Sequence, residues 1–98
     1  MASDIQVYGT DWCGLTYEVR RYLTDGHFDY DYFNIEDDER AEEFVRSAND
    51  GGWRFPIAVI EERVLTVPTS AELRRVLDEH GMRPRRVPTY TRRRNRRP

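Results

Sequence analysis

The apolar and polar positions of this chain change their period along its length, and these changes predict seven elements. Residues 5–8 form a short, mostly apolar run that is typical of a strand buried on both faces. After a turn, the spacing of one helix face is kept by Leu15, Val19, Tyr22 and Leu23. Gly26 is expected to end this helix as its C′ residue.

Residues 28–35 alternate aromatic and acidic side chains, which predicts a strand with one buried and one wet face. A second helix is expected from Asp37 or Asp38, because carboxylates favour the positive end of a helix. Its apolar stripe consists of Ala41, Phe44, Val45 and Ala48. The Asn-Asp-Gly-Gly sequence at 49–52 ends it.

The last third of the pattern predicts a β-hairpin and a final helix. Residues 57–60 form a buried run, and a Glu-Glu turn at 61–62 leads to a partner strand at 63–67. Thr69 and Glu72 have the spacing of a capping box. The following helix turns Leu73, Val76, Leu77 and His80 inward and ends at Gly81. The order β-α-β-α-β-β-α predicts one α/β domain over residues 1–82.

Charge divides the 98-residue chain into an acidic body and a basic arm. All 18 acidic residues precede residue 83, whereas eight of the 16 arginines lie at 83–98. The arm lacks apolar periodicity, so we expect it to be flexible. Eight arginines would suit phosphates, but only Tyr90 is available to stack on a base, so any nucleic-acid binding is expected to be weak and nonspecific. Packing of the arm against the acidic body and a role in solubility are open alternatives. No apolar run is long enough for a membrane span, and the first residues do not form a secretion signal.

Cys13 is the only cysteine and stands where the first helix is expected to begin. A single thiol excludes an internal disulfide and a multi-cysteine zinc site, so no metal is expected, and a reducing cytoplasm is the natural compartment. The N–H groups and dipole of a helix start favour the thiolate. Because the thiolate is the nucleophile of disulfide exchange, Cys13 is the candidate catalytic residue.

Three motifs resemble those of glutaredoxins, and in particular the mycoredoxins of actinobacteria. They are VYGTDWCG at the first strand-to-helix turn, NDGGWRFP before the third strand, and LTVPTSAEL before the last helix. The resemblance spans residues 5 to about 80 and implies a thioredoxin-like fold, with a four-stranded mixed sheet flanked by helices. It also implies that Pro56 follows a cis peptide bond and lies beside Cys13.

The motif departs from the family at its fourth position, where Thr16 replaces the second cysteine. A dithiol cycle within one chain is therefore excluded, and a monothiol route remains. In that route Cys13 takes the small thiol, mycothiol or glutathione, from a mixed disulfide with a protein. Thr16 lies one helical turn from Cys13 and is expected to donate a hydrogen bond that lowers the thiolate pKa.

The same resemblance implies the other site residues. Pro56 and the backbone of Phe55 would position the incoming disulfide, and Arg54 would supply charge. Thr69 and Ser70, at a helix N-terminus, would hold the polar end of the small thiol. Bulky Trp12 and Trp53 beside the site loops would form a surface for a protein partner or cover the edge of the sheet.

Thr10 stands where iron–sulfur-type monothiol glutaredoxins have a lysine. That lysine would pair with a glutathione carboxylate, so the resemblance favours mycothiol as co-substrate.

Two alternatives remain open beside an enzyme that acts as a monomer without a permanently bound cofactor. One alternative is a thioredoxin-fold adaptor that has lost turnover. The other is a dimer that bridges an iron–sulfur cluster through Cys13, which would colour the purified protein brown.

Overall fold

The computed structural model describes residues 3–84, and the order of its elements is the predicted one. The strands are β1 (Ile5–Gly9), β2 (Asp31–Asn34), β3 (Ile57–Ile60) and β4 (Arg63–Thr66). The helices are α1 (Gly14–Asp25), α2 (Glu39–Ala48) and α3 (Ser70–Glu79). Most of the predicted basic arm lies outside the described residues. Within the described residues, no helix is long and apolar enough to cross a bilayer.

The four strands form one mixed sheet in the order β2-β1-β3-β4. The inner strand β1 runs parallel to β2 and antiparallel to β3, the other inner strand, and β3 and β4 form the predicted hairpin. Side chains alternate between the two faces of the sheet. On one face Val7 packs with α1 and α3, and on the other Ile57 packs with α2. The architecture implied by the family resemblance is therefore confirmed.

The buried face of α1 differs from the predicted stripe by one position. Thr16, Val19 and Leu23 are buried, whereas Leu15 is 54% exposed. Residues 16, 19 and 23 have the i, i+3, i+7 spacing of a single helix face, and Leu15 lies beside that face rather than on it. A polar side chain, three residues after Cys13, thus occupies the core position for which the sequence pattern predicted Leu15.

Two further predictions from periodicity are wrong in detail. The second strand begins at Asp31 rather than at 28, and it has no wet face, because Tyr32 packs on the α1 side and Phe33 on the α2 side. A strand parallel to β1 and covered by helices on both faces needs apolar contacts on both. In α2, Ala48 is exposed, so the apolar stripe ends at Val45.

The C-terminus of α1 places a histidine where a glycine was expected. The Phe28 N–H donates to the Leu23 carbonyl at 2.9 Å, and the His27 N–H donates to the Thr24 carbonyl at 3.0 Å. This pair of bonds defines a Schellman motif whose C′ residue is His27, with φ 63°. Gly26 is the preceding C-cap residue at φ −84° and does not use the left-handed region.

We predict that exchanging the C′ residues of α1 and α3 shifts stability in opposite directions. Gly81 occupies the equivalent position of α3 with φ 67°, and a Cβ there would meet nothing within 4 Å. His27→Gly removes left-handed strain and should raise the free energy of unfolding by about 1 kcal/mol, and Gly81→His should lower it by a similar amount. Urea titration measures both. Equal signs for the two variants would contradict this assignment.

Candidate active site around Cys13

Cys13 lies where the inner strand β1 passes into a helix. β1 ends at Gly9, a three-residue turn follows, and Cys13 is the N-cap residue of α1 with φ −85° and ψ 123°. Its carbonyl accepts the Tyr17 N–H at 3.0 Å, and its own N–H donates to the Thr10 carbonyl at 3.4 Å. The thiol is partly exposed and lies at the positive end of the helix dipole.

The surroundings of the thiol favour its ionised form. Burial raises the pKa of Cys13, but the Thr16 N–H, the Thr16 hydroxyl and the Leu15 N–H face the sulfur and bring the pKa below the ordinary value of a cysteine. Cys13 makes no side-chain capping hydrogen bond of ordinary geometry. These donors therefore stabilise the thiolate rather than anchor the neutral thiol.

The turn before Cys13 is braced from the neighbouring strand. The Tyr32 hydroxyl donates to Asp11 Oδ1 at 2.8 Å, and the Arg20 guanidinium lies over the Tyr32 ring, 3.8 Å from its centroid. Burial and the adjacent Asp11 carboxylate both raise the pKa of Tyr32, so its hydroxyl stays a donor. Asp11 is thereby fixed two residues before the nucleophile.

Trp12 is held in an exposed position by a residue that the sequence analysis missed. Its Nε1–H donates to Glu36 Oε2 at 3.0 Å, although the side chain is 67% exposed. The available signal was the parallel pairing of β1 and β2, which places Gly9 opposite Asn34 and so brings residue 36 to the same end of the sheet. The indole contacts Phe55 edge-on at 5.9 Å between centroids.

The loop before β3 meets two other segments at this end of the sheet. The Phe55–Pro56 peptide bond is cis, as the resemblance implied. Phe55 also contacts Trp53 edge-on at 5.9 Å, and the buried Pro56 accepts a hydrogen bond from the Val67 N–H at 2.8 Å. The turn with Trp12, the loop with Pro56 and the segment before α3 are therefore brought together.

The two remaining residues of this loop point outward. Trp53 is 42% exposed, and the Arg46 guanidinium lies 4.3 Å from its ring centroid. The Arg54 side chain is exposed, while its carbonyl accepts the Asn49 side-chain amide at 2.9 Å. With Trp12, Trp53 forms the two ends of an exposed aromatic row that has Phe55 at its centre.

A cleft of about 440 Å³ separates the start of α1 from the start of α3. Its lining includes Leu15, Glu18, Val67, Thr69 and Ser70. Leu15 is two residues from the nucleophile, so the cleft extends from the neighbourhood of Cys13 to the N-terminus of α3. The exposed leucine that disagreed with the core pattern lines this cleft.

Thr69 is engaged in the predicted capping box. Its N–H donates to Glu72 Oε1 at 2.9 Å, and its hydroxyl oxygen accepts the Glu72 N–H at 3.1 Å. Ser70 follows as the first residue of α3 and is exposed. Thr69 and Ser70 are thus brought to one end of the cleft, with a carboxylate already bound at the helix N-terminus.

The fold and the site together define a thioredoxin-fold protein with a thiol at the start of a helix and a cis-proline loop nearby. The chain is similar to the thioredoxin-like protein BC3987, with a TM-score of 0.67 and 23% identity over 74% of this chain and 99% of that one. It is also similar to NrdH-redoxin of Escherichia coli, with a TM-score of 0.65 and 18% identity over 74% and 92%. At these identities the likeness establishes the fold.

Curated relatives establish the family. The chain is 35% identical to mycoredoxin 1 of Corynebacterium glutamicum over 72 residues, which are 72% of this chain and 89% of that protein. It is 32% identical over 71 residues to a Mycobacterium tuberculosis protein named as a glutaredoxin, covering 71% and 84%. No protein-family model matches. The chain belongs to the glutaredoxin family, is mycoredoxin-like, and has a glutaredoxin-like redox function.

We predict a low-pH onset of Cys13 reactivity. Because the donors around the sulfur lower the pKa of Cys13, its alkylation by iodoacetamide should increase with pH and level off at a lower pH than for a free cysteine. In urea the profile should return to the ordinary cysteine value, since the helix N-terminus is lost. A folded profile that matches the unfolded one would show that the donors do not stabilise the thiolate.

Proposed function

We propose that this protein is a monothiol thiol–disulfide oxidoreductase that removes a small thiol from mixed disulfides with proteins. The observation that carries the proposal is the placement of the chain's single thiol, Cys13, at the N-cap of α1 with its pKa lowered. The family relationship supports the same chemistry. The mixed disulfide and the free small thiol are substrates, and no permanently bound cofactor or metal is proposed.

The reaction requires two exchanges at one sulfur. The Cys13 thiolate attacks the small-thiol sulfur of a mixed disulfide, a new disulfide forms on Cys13, and the protein thiolate leaves and takes a proton from water. A second small-thiol thiolate then attacks the small-thiol sulfur of the adduct. It forms the symmetric small-molecule disulfide and releases the Cys13 thiolate. Thr16 donates to this thiolate in both exchanges.

The loops around Cys13 supply the binding groups. The backbone of Phe55 and Pro56 positions the incoming disulfide, and Arg54 offers an exposed positive charge. The aromatic row from Trp12 to Trp53 provides apolar contact area for the protein part of the substrate.

The cleft between α1 and α3 favours a small thiol whose distal end carries no carboxylate. The Glu72 carboxylate accepts the N–H of Thr69, which lines the cleft at the start of α3. The lining itself contains Glu18 and Asp25, and Asp25 is paired with Arg21. A further anion there would meet like charge and an occupied donor. Mycothiol ends in neutral sugar and inositol hydroxyls, whereas glutathione carries two carboxylates. We therefore propose mycothiol as co-substrate, with Ser70 as its main contact.

The proposed chemistry also determines the compartment, oligomeric state and partners that we expect. Release of the adduct depends on a pool of reduced small thiol, which the cytoplasm supplies. Each exchange involves one Cys13, so a monomer suffices. The partners are the small thiol and protein mixed disulfides, and neither a membrane nor a nucleic acid is required.

The adaptor alternative is favoured by the exposed aromatic row. Trp12 is 67% exposed and Trp53 is 42% exposed, although both are held by specific contacts. An exposed and rigid aromatic surface is typical of a binding site for another protein. In an adaptor this surface would act without turnover at Cys13.

We predict that mycothiol disulfide forms a single adduct on Cys13 at pH 7 and that free mycothiol removes it. Intact-mass analysis measures both steps. Cys13→Ser should abolish both, because a hydroxyl does not exchange with disulfides. An unmodified wild-type protein, or an adduct that free thiol does not release, would contradict the enzyme. A partner that still binds Cys13→Ser in that case would favour the adaptor.

We predict that Glu72→Gln selectively accelerates reaction with glutathione disulfide. Glutamine preserves the capping box but removes the charge, so the rate should increase about threefold to tenfold for glutathione disulfide and less than about twofold for mycothiol disulfide. Glu79→Gln is the matched control, since Glu79 pairs with Arg63 at the other end of α3. Equal changes for the two disulfides would contradict a role of Glu72 in selectivity.

A further inference from the structure

Gly9, the last residue of β1, faces the side chain of Thr16 without any space between them. A Cβ at position 9 would lie 2.3 Å from Thr16 Oγ1 and 2.7 Å from Thr16 Cγ2. Side chains in proteins do not approach to such distances, and both residues are buried, so neither can move aside into solvent. The observed position of the Thr16 side chain therefore requires glycine at position 9.

The hydroxyl that Gly9 accommodates lacks an ordinary hydrogen-bond partner. Thr16 is 1% exposed, and among the described residues its Oγ1 has no bond of standard geometry. A buried hydroxyl without a partner is costly, and this cost is removed when an acceptor becomes available. Thr16 is the third residue of the helix that Cys13 caps, so its hydroxyl lies one turn from the Cys13 sulfur, which becomes a strong acceptor only as a thiolate.

We propose that Gly9 is a positioning residue that keeps the Thr16 hydroxyl against the Cys13 sulfur and thereby makes Cys13 a better leaving group. During release, a small-thiol thiolate attacks the adduct and the Cys13–sulfur bond breaks. Its electron pair stays on Cys13, where the Thr16 hydroxyl donates to it. Lower basicity of the leaving thiolate speeds this step. The release step rests on the proposed function, whereas the effect on the thiolate does not.

Gly9 and the Thr16 hydroxyl together compensate for the absence of a second cysteine that would release the bound thiol. In a dithiol site a neighbouring thiol would expel the bound group, but here only an external thiol does so. Release is therefore the exchange that gains most from a stable Cys13 thiolate. Gly9 and Thr16 provide that stability from the core side, where solvent does not compete for the hydroxyl.

The test is a double-mutant cycle with Gly9→Ala, Thr16→Ala and both together. We expect each single variant to raise the pKa of Cys13 by about 0.5–1 unit and to slow release of a preformed glutathione adduct about twofold to threefold. The double variant should match Thr16→Ala, because Gly9 acts through the hydroxyl. Thiolate absorbance at 240 nm gives the pKa, and intact mass gives the release rate.

Gly14→Ala is the matched control, since it makes the same change beside Cys13 at a position where a Cβ would meet nothing within 4 Å. It should leave the pKa of Cys13 unmoved. If Gly9→Ala does not fold but the double variant does, the steric pairing is supported, and Thr16→Ala then decides the effect on the thiolate. Thr16→Ala removes the two closest contacts and leaves only the Cβ of residue 16, which is 3.0 Å away, so a double variant no more stable than Gly9→Ala overturns the pairing.

Three results would overturn the proposal. The first two are an unchanged Cys13 pKa in Thr16→Ala and an unchanged Cys13 pKa in a folded Gly9→Ala. The third is a Gly9→Ala substitution that changes the Cys13 pKa equally with and without the Thr16 hydroxyl. These outcomes are separate from a failure of the proposed function. A wild-type protein that exchanges with no disulfide would contradict the enzyme, but the thiolate titration would still decide whether Gly9 acts through Thr16.

Discussion

The connection from β1 to α1 is the constraint on which the rest of this site depends. β1 is paired on both sides, with β2 and with β3, so its end point and direction are fixed by the sheet. Three turn residues then bring Cys13 to the N-cap of α1, where backbone donors face its sulfur. Contacts from β2 brace this turn through Tyr32 and Asp11. The reactivity of the thiol is thus a property of the sheet as much as of the helix.

In the proposed monothiol cycle, the Cys13 sulfur serves as nucleophile in one exchange and as leaving group in the next. Stabilising the thiolate helps departure and increases the fraction that is ionised, but it reduces intrinsic nucleophilicity. The best compromise is a pKa near the working pH. Burial raises the pKa of Cys13, whereas the backbone N–H groups of Thr16 and Leu15 and the Thr16 hydroxyl bring it below the ordinary value. This balance between nucleophilicity and leaving-group ability suits a site in which no second thiol takes part in the exchange.

Two surfaces of different chemistry lie on either side of Cys13, and we propose that they bind the two halves of a mixed disulfide. The aromatic row from Trp12 to Trp53 is exposed and apolar, which suits the irregular surface of a protein. The cleft toward Ser70 has Glu18 and Asp25 in its lining, together with Arg21. The proposed selectivity against carboxylates would be linked to folding, because the Glu72 carboxylate beside this cleft also caps α3.

The sequence by itself determined the element order, the capping box at Thr69 and the position of Cys13, because periodicity and helix-end chemistry are local. The tertiary structure decided which residues those elements bring together. Leu15 fits a helix stripe equally well as a core residue, and only the packing of α1 places Thr16 inside instead. The close approach of Gly9 to Thr16 joins a strand to a helix across the turn. Such contacts depend on where two elements pack, and local pattern does not encode that distance.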